Sequence, residues 1–310
     1  MLGIIWRWLK ESRKIRLGPL ALAFKFERAV GVSRNTRGYL KSTSARYHDW
    51  INSRPLPLRH DLEEPRHKSQ AKSARNSELA LIVGVGPGLG YALARRLTRE
   101  GAAVVLVSRN ARPLDGLVAE IQNSGGFACA YGCDVTCESS VLELFAKISA
   151  THGVPNLVIY SLQSFGPGSV VDIELPAFED GWKHNCLGSF LVARSAARLM
   201  HPSGRGSIIL IGSTSSVLGR AGHLNLAVGK FGQRALAQVL ARELWPKGIH
   251  VAHLLVDADI REDNAEETSE SSSDPNQIAE DVLSLHRQPK TAWTSEMDVR
   301  PWNEQFWEHC

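Results

Sequence analysis

Four glycines within one short stretch form a pattern that can bind a phosphate group. Gly84, Gly86, Gly88 and Gly90 follow an apolar run of strand length and precede a stretch with helical periodicity. Glycine allows a tight turn and a close approach of the backbone to a phosphate, and the unpaired N–H groups at a helix N-terminus attract the anion. This order of strand, glycine-rich turn and helix therefore predicts a dinucleotide-binding site, with Leu89 at the start of the helix among its residues.

Apolar segments of strand length alternate with helical segments from residue 78 onward. The predicted strands lie at 79–85, 103–108, 127–133, 156–161, 206–212 and 249–256. The predicted helices lie at 112–124, 139–151, 177–200, 224–245 and 277–286. Because strands that alternate with helices form parallel sheets covered on both faces, we expect an α/β fold with a doubly wound parallel sheet of about seven strands.

The chain divides into a basic extension, residues 1–76, and a domain over residues 77–310. Residues 1–60 hold thirteen Lys or Arg and three Asp or Glu, whereas the net charge of the whole chain is only +4. The extension is either a mitochondrial presequence, a helix that lies on a membrane surface, or a basic tail without a targeting role in a cytoplasmic protein. Within the domain, the acidic and serine-rich segment near 262–276 predicts a disordered insertion.

The sequence also argues against several classes of function. No apolar run approaches the ~20 residues that a membrane-spanning helix needs. Five cysteines without a scaffold-like spacing favour a reducing compartment, and we expect no metal site. The basic residues of the extension are scattered and lack aromatic platforms, so we expect no nucleic-acid partner.

The glycine-rich stretch resembles the first motif of the short-chain dehydrogenase/reductase family, Thr-Gly-x-x-x-Gly-x-Gly. The motif matches residues 83–90, with Val83 in place of the threonine. The resemblance covers about residues 78–300. It implies a Rossmann fold, a nicotinamide dinucleotide as cofactor, and hydride transfer to or from a small-molecule substrate such as a carbonyl, alcohol or enoyl compound.

The resemblance also places cofactor contacts after the second, third and fourth strands. No acidic residue follows the second strand, where Ser108 and Arg109 stand instead. Either these two residues hold the 2′-phosphate of NADP, which we prefer over NAD, or Arg109 is a solvated residue at a helix start. Asp134 and Val135 match the family's adenine contact, and Ser161 opens a tripeptide that replaces the family's Asn-Ala-Gly.

Three catalytic residues of the family have matches in this chain. Ser213 matches the serine that polarises the substrate carbonyl, and Asn185 matches the asparagine of the proton relay. Lys230 matches the lysine that binds the nicotinamide ribose and lowers the pKa of the catalytic tyrosine. The tyrosine itself is expected four residues before the lysine, at Leu226, and leucine can neither donate nor accept a proton.

Two interpretations of Leu226 follow. In the first, His223 is the acid or base, because it precedes Lys230 by seven residues, which is the spacing of the tyrosine in the family's enoyl-reductase branch. Histidine as a residue type titrates near ~6.5 and can serve in either role, although His223 could simply cap or cover the helix start. In the second interpretation, the protein binds the dinucleotide without catalysis and acts as a regulatory or scaffold subunit.

The resemblance further implies a homodimer or homotetramer. The two long predicted helices, 177–200 and 224–245, correspond to the pair that forms the family's interface. Residues 286–294 also match the tail of bacterial-type relatives that lack the tyrosine and carry the general label of oxidoreductase.

Overall fold

Seven parallel strands form the main sheet in the computed structural model of the chain, which describes residues 78–260 and 272–304. The strands of this sheet are β1 Leu79–Val83, β2 Ala103–Ser108, β3 Ala128–Gly132, β4 Leu157–Tyr160, β5 Ser207–Ser213, β6 His250–Val256 and β9 Glu296–Val299. Two short strands, β7 Asp259–Ile260 and β8 Ser272–Ser273, form a separate pair. Their order in the sheet is β3-β2-β1-β4-β5-β6-β9. The predicted extension at 1–76 lies outside the described residues, as does most of the insertion predicted near 262–276.

Helices alternate with these strands. They are α1 Leu89–Arg99, α2 Asp115–Asn123, α3 Glu138–Thr151, α4 Leu175–Trp182, α5 Gly188–Met200, α6 Leu224–Leu244 and α7 Pro275–His286. The predicted Rossmann-type architecture, a parallel sheet with helices on both faces, is confirmed.

The side chains of each strand alternate between two hydrophobic cores. On β1, Ala80 and Ile82 belong to the core beneath α1, α2 and α7, whereas Leu79, Leu81 and Val83 belong to the core beneath α3, α5 and α6. Because both faces of the sheet are covered, β1 is apolar at every position and buried throughout. This two-sided burial is what makes the strands recognisable as continuous apolar runs.

The order of the strands creates a crevice at the carboxyl ends of β1 and β4. The chain moves outward from β1 to β3 and then returns to the other side of β1 with β4. The connections that leave these two adjacent strands run to opposite faces of the sheet, and this divergence opens the place where ligands bind in such folds. The glycine-rich turn follows β1 directly, so the fold puts it at this crevice.

Three expectations about segments need correction. The helix predicted at 177–200 is two helices, α4 and α5, joined by a π-helical turn at Lys183–Leu187. The last helix begins at Pro275 rather than at residue 277, and the carboxylate of Asp274 caps it by accepting a hydrogen bond from the backbone N–H of Asn276 at 2.9 Å. Residues 272–276 of the predicted disordered insertion therefore have regular structure.

Strand β9 was not predicted because its sequence lacks the apolar run of a buried strand. Its residues Glu296 to Val299 alternate between exposed and half-buried positions at the edge of the sheet.

Among the described residues, no helix is both long and apolar enough to span a membrane.

Candidate active site

The glycine-rich turn forms one wall of an open cavity of about 250 Å³ at the carboxyl ends of β1 and β4. The residues that line the cavity are Gly84, Gly86, Pro87, Gly88, Leu89, Gly90, Ser161 and Ile260. Gly84 has φ +92°, and a Cβ atom there would lie 2.6 Å from the backbone nitrogen of Leu162, so only glycine lets the turn pass beside the chain that leaves β4. A Cβ atom at Gly86 would meet no heavy atom within 4 Å, which leaves this part of the cavity open to a ligand.

The amino end of α1 suits an anion in this cavity. Gly88 precedes the helix, and no side chain caps its first turn. The first N–H groups to bond within the turn are those of Tyr91 and Ala92, whose carbonyl partners are Gly86 at 3.1 Å and Gly88 at 3.2 Å. The N–H groups at the very start of the helix, beginning with Leu89, are thus the donors that a phosphate would use.

The residues predicted to bind the adenosine half lie at the adjacent ends of β2 and β3, which pair in the sheet. Ser108 is half-buried and Arg109 is exposed. The exposed Asp134 accepts two hydrogen bonds from Thr136, from Oγ1 at 2.7 Å and from the backbone N–H at 2.9 Å, and these lower the pKa of its carboxyl group. The side chain of Val135 is buried in the core, which leaves only its backbone available to a ligand.

The side chain of Lys230 ends inside the protein, with 1% of the residue exposed. Its Nζ donates hydrogen bonds to the carbonyl oxygens of Ile211 at 2.9 Å and Leu162 at 3.4 Å, and lies 3.5 Å from Oε1 of Gln233. Burial lowers the pKa of Lys230 from 10.5 to about 7. The ammonium thus connects the carboxyl ends of β4 and β5, which border the cavity, and it is poised to change its charge near neutral pH.

A buried polar cluster extends from Lys230 towards β9. His253 on β6 is 1% exposed, and its Nδ1 lies 3.2 Å from Oε2 of Glu296 on β9. Burial lowers the pKa of His253 to about 4, so its ring is neutral at pH 7. Arg234, one helical turn after Lys230, holds both carboxylate oxygens of Glu296 at 2.7 and 2.6 Å. The cluster therefore pairs its carboxylate with Arg234, and no carboxylate of the described residues forms an ion pair with Lys230.

Asn185 lies in the π-helical turn and is fully buried. Its Nδ2 donates to the carbonyl oxygens of Ser164 and Gly181, both at 2.8 Å, and its Oδ1 accepts from the backbone N–H of Ser164 at 3.1 Å. A Cβ atom at Gly229 would lie 2.6 Å from the Cβ of Asn185, so glycine lets α6 approach this turn closely. Asn185 thus joins α4 to the chain beyond β4, and these contacts use both N–H groups of its side chain.

Ser213 ends β5 and retains an available hydroxyl. Its backbone N–H donates to Oγ of Ser216 at 3.1 Å. Its own Oγ faces the backbone N–H of Ser216 in a capping box, and within the described part of the chain its hydroxyl proton has no acceptor. A buried hydroxyl in this condition can donate to a substrate oxygen at low cost.

A buried carboxylate fixes the segment that follows Ser213. Asp257, at the carboxyl end of β6, is 4% exposed and accepts hydrogen bonds from Oγ1 of Thr214 and from Nη1 of Arg300. Burial raises the pKa of Asp257. Arg300 also holds both oxygens of Asp298 at 2.8 Å, so the residues just after β9 anchor the same edge of the sheet.

His223 and Leu226 lie at the start of α6. Leu226 is 6% exposed, one turn before Lys230. His223 is half-buried just before the helix and forms no side-chain cap. Its ring meets the ring of Phe165 edge-on at 4.8 Å, and its buried Nδ1 has no hydrogen-bond partner among the described residues. His223 therefore covers the helix start without capping it, and one ring nitrogen is left for another role.

Several residues at this site were missed from the sequence. Ile260 lines the cavity, while Gln233 and His253 lie around Lys230. The available signal for His253 was a lone histidine within the apolar strand predicted at 249–256. Ile260 gave no signal, because the fold of the loop after β6 brings it to the glycine-rich turn.

Comparisons with known proteins agree with this geometry. The model of the short chain dehydrogenase family matches residues 78–267, more than half of the chain. Sorbitol-6-phosphate 2-dehydrogenase from Escherichia coli is 33% identical over 183 residues, which are 58% of this chain and 71% of that protein.

Solved structures extend the likeness to the fold. A short-chain dehydrogenase from Rhodopseudomonas palustris is 33% identical with a TM-score of 0.65, over 73% of this chain and 99% of that one. A metagenomic short-chain oxidoreductase solved in complex with NADP is 25% identical with a TM-score of 0.64, over 72% of this chain and 97% of that one. A glycine-rich cavity at the switch point of a parallel sheet and a family match over the same residues lead to one conclusion: the chain belongs to the short-chain dehydrogenase family.

Proposed function

We propose that the protein is an oxidoreductase that transfers hydride between NADP(H) and a small carbonyl, alcohol or enoyl compound. The observation that carries this proposal is the cavity at the carboxyl ends of β1 and β4, with its glycine-rich wall, its uncapped helix and open space beside Gly86. Membership of the family and the likeness to an NADP-bound relative support it.

The residues present fit a nicotinamide dinucleotide. Gly86, Gly88 and the start of α1 would hold the pyrophosphate through backbone N–H groups. The side chain of Arg109 would bind the 2′-phosphate of NADP, and no acidic residue at the end of β2 opposes that phosphate. Ser161 lies in the same cavity and would contact the nicotinamide half. The preference for NADP over NAD rests on Arg109.

The proposed chemistry divides among four residues of the chain, which are Ser213, Lys230, Asn185 and His223. When bound, the dinucleotide supplies or accepts the hydride. The unpartnered hydroxyl of Ser213 donates a hydrogen bond to the carbonyl oxygen of the substrate and polarises it. Lys230 would hold the ribose hydroxyls by giving up the long 3.4 Å contact of its buried Nζ with the carbonyl oxygen of Leu162. Asn185 holds α4 to the chain beyond β4.

The acid or base is not the family's tyrosine in this proposal, because Leu226 occupies that position. His223 takes the role, donating a proton to the substrate oxygen in reduction and accepting it in oxidation. Its Nδ1 supports this assignment, since that nitrogen has no hydrogen-bond partner in residues 78–260 and 272–304.

The second candidate is a catalytically silent dinucleotide-binding subunit. Two observations favour it: Leu226 is buried and cannot transfer a proton, and both side-chain N–H groups of Asn185 donate to the backbone. Both candidate functions require cofactor binding, so only a measurement of substrate turnover distinguishes the oxidoreductase from the silent subunit.

We further propose that two copies of the chain associate through α6. Val228, Phe231 and Val239 expose 40%, 43% and 52% of their surface along one side of this helix. Trp182 and Phe190 add exposed aromatic rings on α4 and α5. Such a stripe of apolar residues is self-complementary in a twofold dimer.

The purified protein is expected to bind NADPH more tightly than NADH, because only NADPH offers Arg109 a 2′-phosphate. Fluorescence titration with each cofactor measures the two affinities.

Gly86→Ala tests whether the cofactor binds in the glycine-rich cavity, since the added methyl group meets no protein atom yet occupies space meant for the ligand. We expect it to retain the thermal stability of the wild type and to lose at least about tenfold in NADPH affinity. Absence of binding to either cofactor would contradict both candidate functions.

Leu226→Tyr is expected to raise NADPH oxidation on a panel of ketones and enoyl compounds by about 100-fold or more, because it supplies a proton donor one turn before Lys230. Leu226→Phe adds the same ring without the hydroxyl and is expected to give no gain. Equal rates for the two variants would show that position 226 does not face the reacting atoms.

The same panel tests His223. If the wild type turns over any substrate, His223→Ala lowers that rate by about 100-fold while leaving NADPH affinity unchanged. A wild type that binds NADPH and turns over none of the panel, while Leu226→Tyr does, identifies the silent subunit.

The charge of Lys230 predicts a specific dependence of stability on pH. The pKa of Lys230 is 10.5 in the reference state and about 7 in the folded protein, so between these values the unfolded chain binds more protons. The free energy of unfolding of the wild type therefore rises with pH across this window relative to that of Lys230→Met. Urea denaturation at pH 6.5 and pH 9 measures the difference. Lys247→Met, which removes an exposed lysine, is the control and is expected to track the wild type at both pH values.

Sedimentation measures the association of copies. We expect a mass of twice the 34.1 kDa of one chain, and a single-chain mass for Phe231→Glu, which places a charge on the stripe. Leu142→Glu changes a residue of similar exposure on α3 and is expected to remain a dimer. A monomeric wild type, or a dimer that survives Phe231→Glu, would refute the proposed interface.

A further inference from the structure

A second cavity lies at the opposite edge of the sheet from the glycine-rich turn. It has a volume of about 690 Å³ and is bordered by the amino ends of β1, β5 and β6, at Leu79, Ser207 and His250. Its volume falls within the range of cavities that bind small molecules and exceeds the 250 Å³ beside the glycine-rich turn. The proposed oxidoreductase function uses none of its residues.

The loop after α7 forms a rigid wall of this second cavity. Nε2 of Gln288 donates to Oγ1 of Thr294 at 2.8 Å, and its Oε1 accepts from the backbone N–H of Thr294 at 2.8 Å. Nε1 of Trp293 donates to the carbonyl oxygen of Gln288 at 3.1 Å, and its ring stacks on His250 with centroids 4.9 Å apart and planes within 6°. The sequence motif at 286–294 is thereby explained as the frame of a cavity.

The floor of the cavity is polar and buried. Ser207 is 3% and His250 is 2% exposed. His286 connects the floor to the rim, because its Nδ1 lies 2.8 Å from Oγ of Ser207 and its Nε2 lies 3.2 Å from Oε1 of Glu78. Glu78 is the one carboxylate among the lining residues of the described chain, and His286 already contacts it.

Two cations at the rim have no carboxylate partner among residues 78–260 and 272–304. Arg205 is exposed, and none of the ion pairs in this part of the chain includes it. Lys290 is also exposed, and its Nζ makes only a long contact of 3.4 Å to the carbonyl oxygen of Gly204. The lining thus carries two cations and one carboxylate, so its charge favours an anionic ligand.

We propose that this cavity is a second ligand site, which binds a small organic molecule through a phosphate or carboxylate group held by Arg205 and Lys290. Both cations are suited to oxyanions, since the guanidinium offers a planar pair of donors and the ammonium a compact charge. The rest of the molecule contacts the apolar and aromatic part of the lining, which includes Trp293, Val154 and Leu79. The site is independent of the cofactor cavity because the full length of the parallel strands separates them.

Calorimetric titration of the full-length protein tests the proposal, with pyrophosphate and citrate as separate probes in a phosphate-free buffer of moderate ionic strength. We expect at least one probe to bind saturably at one site per chain, and the other arm tells whether phosphate or carboxylate is preferred. The Arg205→Gln/Lys290→Gln double variant is expected to lose at least about tenfold in affinity for that probe. Arg99→Gln removes an exposed arginine that does not line the cavity and is expected to bind as the wild type does.

The same titration in the presence of saturating NADPH separates the two sites. Unchanged probe affinity is expected, because NADPH occupies the glycine-rich cavity. Displacement of the probe by NADPH, together with unchanged affinity of the double variant, would assign the probe to the cofactor cavity and overturn the proposal. If the double variant and Arg99→Gln lose probe affinity equally, the binding reflects general surface charge and the proposal is wrong. If neither probe binds more tightly than about 1 mM, the site is refuted.

Discussion

The buried ammonium group of Lys230 constrains the edge of the sheet that borders the glycine-rich cavity. Removing a charge from water costs several kcal/mol unless nearby polar groups replace the lost hydration. For Lys230 the replacements are the carbonyl oxygens of Ile211 and Leu162, which the parallel sheet presents side by side. The ends of β4 and β5 must therefore stay adjacent, and α6 must stay close enough for the side chain to reach them. The position of the glycine-rich turn also depends on Leu162, because Gly84 packs against the backbone of that residue.

Close helix contacts keep that geometry. A Cβ atom at Gly181 would lie 2.7 Å from the Cβ of Asn225, and Gly229 makes an equally close approach to Asn185. Each glycine makes room for the asparagine that faces it, and the buried amides of Asn185 and Asn225 donate hydrogen bonds to the backbone of α4. The widened π-helical turn then has a physical role, since it places Asn185 where its side chain can bond to two separate segments of backbone.

The sequence was sufficient for the features that depend on local pattern. Strand β2 was predicted with its observed bounds because burial on both faces makes it an unbroken apolar run, and the glycine-rich turn was recognised from its own spacing. Edge strand β9 and the contact between His253 and Glu296 depend on pairing between distant parts of the chain, which periodicity does not report.

The same limit applies to the candidate site. Asn185, Ser213 and Lys230 were found through a resemblance, but the state of each side chain came only from the structure. Asn185 donates both side-chain N–H groups to backbone, the hydroxyl of Ser213 has no partner among the described residues, and Lys230 is enclosed. Val135 stays a predicted cofactor contact, and the structure adds that its side chain lies in the core, so that only its backbone is available to a ligand.

Strand β9 has a consequence for how the protein is made. It supplies Glu296 to the cluster around His253, and Arg300, just beyond it, binds the buried Asp257. Both residues leave the ribosome after the rest of the sheet has been synthesised. During translation Asp257 and His253 therefore have no partners from this strand, and the edge of β6 is unpaired. Synthesis of this domain thus passes through a stage in which the strands from β1 to β6 are complete while the edge of β6 still lacks its partner strand.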